Sequence, residues 1–188
     1  MPDTTHLSGD QVLTLEAFAD TILPGEKRTP DDIAIAGASD GPGAVAAGAL
    51  ELLCTPATGL TESLPLLADM LDRHATAHAE AHELSRPEVV PPFVALPFDH
   101  RTRLVAQLTA PGHPEKEGWV GLALFCNMAF DSAAHLHTVD AIAAGHPGLA
   151  AMGFYDPGDD GLWRFPGYSY GGTPAAPHPS TTASGSPA

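Results

Sequence analysis

Hydrophobic residues return every three or four positions through five stretches of this chain, and proline or glycine punctuates the intervals between them. In the first stretch Val12, Leu15, Phe18, Ala19 and Ile22 fall on one helical face. Ser8 and Gln11 have the spacing of a capping box, so the helix begins near Ser8, and Pro24-Gly25 stops it after Leu23. Glu26 to Pro42, EKRTPDDIAIAGASDGP, mixes charge, proline and glycine and reads as a loop with one turn near Asp31 to Ile35. A second helix, roughly Ala44 to Cys54, follows a glycine-proline turn and closes at Thr55-Pro56. A third runs from Thr61–Pro65, where Pro65 suits a first turn, to about Leu84, and is the longest amphipathic segment.

SRPEVVPPFVALPF carries four prolines and cannot stay helical. It should cross the surface while Phe93, Val94, Leu96 and Phe98 dip into the core. The fourth helix, Asp99 to Leu108, turns Leu104, Val105 and Leu108 inward, and APGHP breaks it. The fifth, Glu117 to Ala144, is so apolar from Trp119 to Phe130 that it is expected to be the central, mostly buried helix. The pattern predicts an all-α fold: a single domain of about five helices over residues 1–153, an irregular extension over 154–172 and a disordered tail over 173–188. The tail, TPAAPHPSTTASGSPA, has too little apolar surface to order itself.

The 188 residues suffice for one domain with a real core. A formal net charge of -15, from 23 acidic against 8 basic residues, argues against nucleic acid and anionic membranes as partners. No apolar run reaches the ~20 residues needed to cross a bilayer. MPDTTHLSGD has no positive n-region, no apolar core and no twin arginine, so a cytoplasmic protein is expected. Cys54 and Cys126 lie inside apolar helical patterns without zinc-knuckle or redox spacing; they read as reduced core residues, with one disulfide as the alternative.

ILPG at Ile22–Gly25, GPGA at Gly41–Ala44 opening a helix, a long helix, and then FVALPFDHRTRLVAQL at Phe93–Leu108 follow one another in an order that resembles the gluconate 2-dehydrogenase subunit 3 family. The closer likeness is to an actinobacterial branch of unknown function, whose ending MGFYDPGDDGLWRFPGYSYGG resembles. The likeness covers most of Leu13 to Gly171. It implies a small helical subunit that binds no flavin itself and works beside a large FAD-dependent oxidoreductase of the glucose-methanol-choline type. Many members of that family carry twin-arginine leaders, which this amino terminus does not resemble.

Three groups of residues could carry chemistry. In RHATAHAEAHEL, His74, His78 and His82 recur every four residues, each turned about 40° from the last, on a face shared with Leu67 and Leu71. His74 and His78 could share a metal ion, but His82 is about 12 Å along the axis from His74, and a ligand from another helix would be required. The other reading is a half-wet helix end without metal. On the fifth segment Asn127, Asp131 and His135 repeat the same step, and an Asp one turn before a His can orient it as a general base; equally, the stripe can face water. The third group is aromatic: Phe154, Tyr155, Trp163, Phe165, Tyr168 and Tyr170 crowd a segment that Gly, Pro and Asp keep out of helix. Such rings must fold back on the domain or anchor a partner.

These readings lead to two expectations. In the first the chain is a non-catalytic accessory subunit or maturation partner of a cytoplasmic FAD-dependent oxidoreductase, binding it through Tyr155, Trp163, Phe165, Tyr168 and Tyr170, with no metal or cofactor of its own. In the second it is a small-molecule enzyme of secondary metabolism with a pocket between helices three and five, lined by Asn127, Asp131 and His135 and joined by His74 and His78. The second requires both stripes to converge on one cavity.

Overall fold

The structure, a computed structural model, describes residues 7–154 apart from positions 38, 86 and 88. The aromatic extension from Tyr155 onward and the tail from Thr173 lie outside the described residues. Among the described residues the fold is all-α, with no strand and eight helices, four of them of seven residues or more. None is long and apolar enough to cross a membrane.

Helix α1, Gly9–Ile22, starts as its capping box dictates: the Ser8 hydroxyl accepts from the Gln11 N–H at 3.2 Å and the Gln11 side chain accepts from the Ser8 N–H at 3.0 Å. Beyond its second turn nearly every residue is buried, from Thr14 and Leu15 through Ala17, Phe18, Ala19, Asp20 and Thr21. α1 packs against α2 (Ala49–Leu53), α3 (Leu64–Ala81), α4 (Pro92–Ala95), α5 (Phe98–Leu108) and α6 (Lys116–Ser132). The central helix is therefore α1, and the expectation that the fifth segment holds that place is corrected. α6 buries Trp119, Leu122, Cys126 and Ala129 but leaves Val120 and Leu124 in water.

The two glycine turns meet. The Leu23 carbonyl accepts from the Ala44 N–H at 3.0 Å, and a Cβ on Gly43 would lie 2.4 Å from that carbonyl oxygen. A Cβ on Gly25 would stand 2.5 Å from the Gly43 nitrogen. ILPG and GPGA are thus the two sides of one backbone crossing, too close for any side chain.

The second helix is shorter than expected. Gly48 takes a left-handed φ of 83°, so residues 44–48 form turns and α2 begins only at Ala49. Two 3-10 turns, Pro56–Thr58 and Thr61–Ser63, precede α3, which ends where Glu83 adopts φ 54°. There the Glu83 and Leu84 N–H groups bond back to the Glu80 and Ala79 carbonyls, a Schellman closure that leaves His82 as the cap. The proline-rich link is not wholly irregular: α4 forms one turn, because Pro91 and Pro92 occupy cap and first-turn positions, where a missing N–H costs nothing. Phe93, Val94 and Leu96 are buried as expected, while Phe98 opens α5 half-buried.

The fifth segment breaks at Ala133, left-handed at φ 48°, and continues as the short helices α7, Thr138–Ala143, and α8, Pro147–Ala151. Gly148 of α8 sits against the backbone of Phe130, where a Cβ would meet the carbonyl at 2.1 Å. Cys54 and Cys126 are both buried free thiols, and burial pushes the Cys126 thiol up to about 12.

Candidate functional site

The histidines of α3 part company. His74 Nε2 lies 2.8 Å from Glu115 Oε2, and the same carboxylate oxygen accepts from the Trp119 indole at 3.1 Å. Burial alone would raise the Glu115 carboxyl, but the hydrogen bonds from His74 and Trp119, with the charges of His74 and His113, hold it below the ordinary carboxylate range. One turn on, His78 is buried and turns instead to α5, its Nε2 3.1 Å from Nδ1 of His100. His82 is exposed, but its ring stands 4.4 Å from that of His78 and 5.3 Å from that of His100, centroid to centroid. Burial lowers the pKa of His78, and electrostatic interaction with His82, His100 and Arg103 lowers it further.

The second stripe is not assembled as a helical stripe. Asn127 Nδ2 donates to the carbonyl of Ala123, one turn back on its own helix, at 3.0 Å. Asp131 is exposed. The left-handed residue at Ala133 ends α6 before His135, so the one-turn spacing that would let Asp131 orient His135 is lost. His135 instead packs on the Gly48 turn beside His146, ring centroids 6.0 Å apart, with its Nδ1 buried and unpartnered. Burial lowers its pKa; the charge of Glu51 opposes this and that of His146 adds to it. His146 is tied down at both nitrogens: Nε2 lies 3.0 Å from the Ala47 carbonyl oxygen, and Nδ1 accepts from Leu149 N–H at 3.3 Å to cap α8.

His74 faces Glu115, at the amino end of α6, and His135 lies past its carboxyl end. The 17 residues of α6 span roughly 25 Å at 1.5 Å per residue. The two sets do not share a cavity, and the pocket expected between the third and fifth segments of the sequence, α3 and α6, is not formed by them.

The sequence pattern passed over the most deeply buried charged residues. Asp20 is 0% exposed and Arg101 2%, with 3.9 Å between Asp20 Oδ2 and Arg101 Nη1. Asp20 accepts from the N–H groups of Gly25 at 3.3 Å and Ala36 at 2.7 Å. Arg101 donates to the carbonyls of Leu96, Ala34, Ile33 and Val94 at 2.6–3.3 Å and lies 5.8 Å over the Phe93 ring. Burial lowers the guanidinium to about 10, against the pull of Asp20, so it stays charged at neutral pH. Asp72 does similar work, accepting from Thr14 Oγ1 at 3.0 Å and Phe93 N–H at 2.9 Å, which joins α3 to α1 and α4. One signal was available for the first pair: Asp20 stands among buried helix positions just before ILPG, and Arg101 falls on the Leu104–Val105 face of α5.

Around this buried pair the segment resembling the family motif builds a surface feature. Val94, Leu96, Pro97, Phe98 and Arg101, with Ile33, Ile35, Val89 and Lys27, line an open groove of about 400 Å³. Two apolar side chains of its rim are exposed, Val89 at 90% and Ile33 at 47%. A second groove, of about 410 Å³, runs along the outer side of α3 between Asp69, Arg73, Thr76, Glu80 and Pro92.

The chain belongs to a family of unknown function, DUF5987, whose profile matches residues 9–188 and so includes the aromatic segment. No curated protein and no solved structure matches it significantly.

Proposed function

We propose that this member of the DUF5987 family is a non-catalytic accessory subunit, or maturation partner, of a cytoplasmic FAD-dependent oxidoreductase of the glucose-methanol-choline type. The observation that carries the reading is the apolar groove: FVALPFDHRTRL, part of one of the several motifs whose order resembles gluconate 2-dehydrogenase subunit 3, forms much of its wall. Exposed Val89 and Ile33 on that rim suit a surface buried in a complex.

The buried Asp20–Arg101 pair and the half-buried Asp72 support the same reading, because they are spent on holding backbone. Asp20, Arg101 and Asp72 bind peptide groups of the loops before α2 and before α5. That rigid framework presents the groove and leaves redox chemistry to the partner, where the flavin resides. Tyr155, Trp163, Phe165, Tyr168 and Tyr170 supply further anchors in this proposal, since Trp and Tyr dominate interface energetics.

The test is to isolate the tagged full chain from its own cells under mild conditions and to assay the captured material for FAD and for a large oxidoreductase subunit. Near-stoichiometric flavin on a co-eluting large chain supports the reading. Elution of the chain alone, free of flavin, refutes it.

A further inference from the structure

We propose that His78, His82 and His100 form a binding site for a divalent transition-metal ion of the zinc type, which clamps the carboxyl end of α3 to the amino end of α5. The site departs from the expectation of a chain with no metal of its own, but the accessory-subunit proposal does not depend on that absence, and the two proposals stand or fall separately.

Sequence spacing alone offered two imidazoles four residues apart and no third ligand. The fold brings one from another helix, though not to His74, which is engaged with Glu115. The three rings form a triangle with centroid separations of 4.4 Å for His78–His82, 5.3 Å for His78–His100 and 5.3 Å for His82–His100. Zinc–nitrogen bonds of about 2.0–2.1 Å place each ring centroid roughly 3.2 Å from the metal, so tetrahedral ligands have centroids about 5 Å apart. The same geometry puts ligand nitrogens about 3.3 Å from each other. His78 Nε2 and His100 Nδ1 are already 3.1 Å apart.

Among the described residues no three side chains are already disposed to hold a metal ion, so binding requires these imidazoles to reorient, the exposed His82 above all. That residue caps α3 and is exposed, so its ring is free to turn toward the pair from the solvent side. A His100 that ligates through Nδ1 carries its N–H on Nε2, 3.9 Å from Asp99 Oδ2, a gap that a small side-chain movement would have to close. A carboxylate behind a ligating histidine is the usual outer support of such sites. The guanidinium of Arg103, which bears on the cluster, is held by the same Asp99 at 2.9 Å. The chain's net charge of -15 raises the cation concentration near its surface.

The experiment titrates zinc chloride into the tag-free, metal-stripped full chain by calorimetry, with cobalt substitution read by its visible absorption. One equivalent is expected to bind, and zinc is expected to raise the melting temperature. His82→Ala and His100→Ala should each weaken binding at least about tenfold, the lower end of what the loss of even an outer-sphere partner costs. His74→Ala should leave it unchanged. If His100→Ala fails to fold, His100→Asn preserves a polar group at that position and must show the same loss. No binding, binding that survives either the His82 or the His100 change, or binding abolished by His74→Ala overturns the proposal.

Discussion

Arg101 is the residue whose removal should damage the helical body most. Its guanidinium satisfies four backbone carbonyls, of Ile33, Ala34, Val94 and Leu96, and it is the cation nearest the wholly buried Asp20. Arg101→Met retains much of the apolar stem but strands those carbonyls and leaves Asp20 without its countercharge. Breaking a buried pair from one side costs about 3–5 kcal/mol. Each orphaned buried carbonyl costs about 1–3 kcal/mol unless water or backbone movement relieves it. The loss should therefore reach at least about 4 kcal/mol, a large share of the about 5–15 kcal/mol that holds a domain together. Asp20→Asn should cost less, about 1–3 kcal/mol, because the amide oxygen still serves one of the two N–H groups and the buried Arg101 cation, though it loses its carboxylate, keeps its four carbonyl acceptors.

The pH dependence of that second variant carries a definite sign. Burial raises the Asp20 pKa, and its backbone hydrogen bonds and Arg101 recover only part of the shift. The folded state then binds this proton more tightly than the unfolded state, so stability from this group declines as pH rises from about 3.9 through the raised value. The deficit of Asp20→Asn against the parent should be larger near pH 4 than at pH 7. Urea unfolding of both variants at the two pH values measures all of this. An Arg101→Met loss below about 1 kcal/mol, or a deficit of Asp20→Asn that grows toward neutral pH, would refute the reasoning.

Gly43→Ala must push a Cβ to 2.4 Å from the Leu23 carbonyl oxygen, so it should cost about 1–3 kcal/mol or more, read by thermal melt. His135 has its pKa lowered, so its contribution is present above about pH 6.5 and is lost as pH falls through the depressed value; His135→Leu should reduce the slope of melting temperature against pH below neutrality, and an unchanged slope would count against the buried, unpartnered Nδ1. Val89→Asp, at a side chain 90% exposed, should leave the melt within about 0.5 kcal/mol of the parent while weakening capture of the flavoprotein. Trp163→Ala and Tyr168→Ala should each weaken that capture by about 2 kcal/mol or more; a collapsed melt of the free chain would assign those rings to packing instead.

Much of this fold was legible because its signals are local. The Ser8–Gln11 capping box, the stop at Pro24-Gly25 and the inward faces of Leu104, Val105 and Leu108 need only neighbours in sequence. Helix ends set by left-handed residues other than glycine were not legible. Alanine is a strong helix former, and nothing before Ala133 marks it as a stop, so α6 was read on to Ala144 and a spurious Asp131–His135 pair came with it. The central place of α1 was also hidden. Apolar content pointed to α6, but burial follows the number of packed neighbours, and α1 has one on nearly every side. At the candidate sites the i, i+4 histidines were visible, whereas the third imidazole, His100, comes from 18 residues beyond His82, and only the folding of the connecting chain brings it near.

The central claim is that this chain serves a flavoprotein rather than a substrate, and the most direct measurement is the flavin occupancy of that partner. Once the captured oxidoreductase is identified, it is produced with and without this chain, and bound FAD per large subunit is determined by absorbance. The account predicts a stable complex with full occupancy when both are made together, and a loss of flavin or of soluble large subunit when this chain is omitted. A large subunit that is fully loaded and soluble alone, and that forms no complex with this chain, would contradict it.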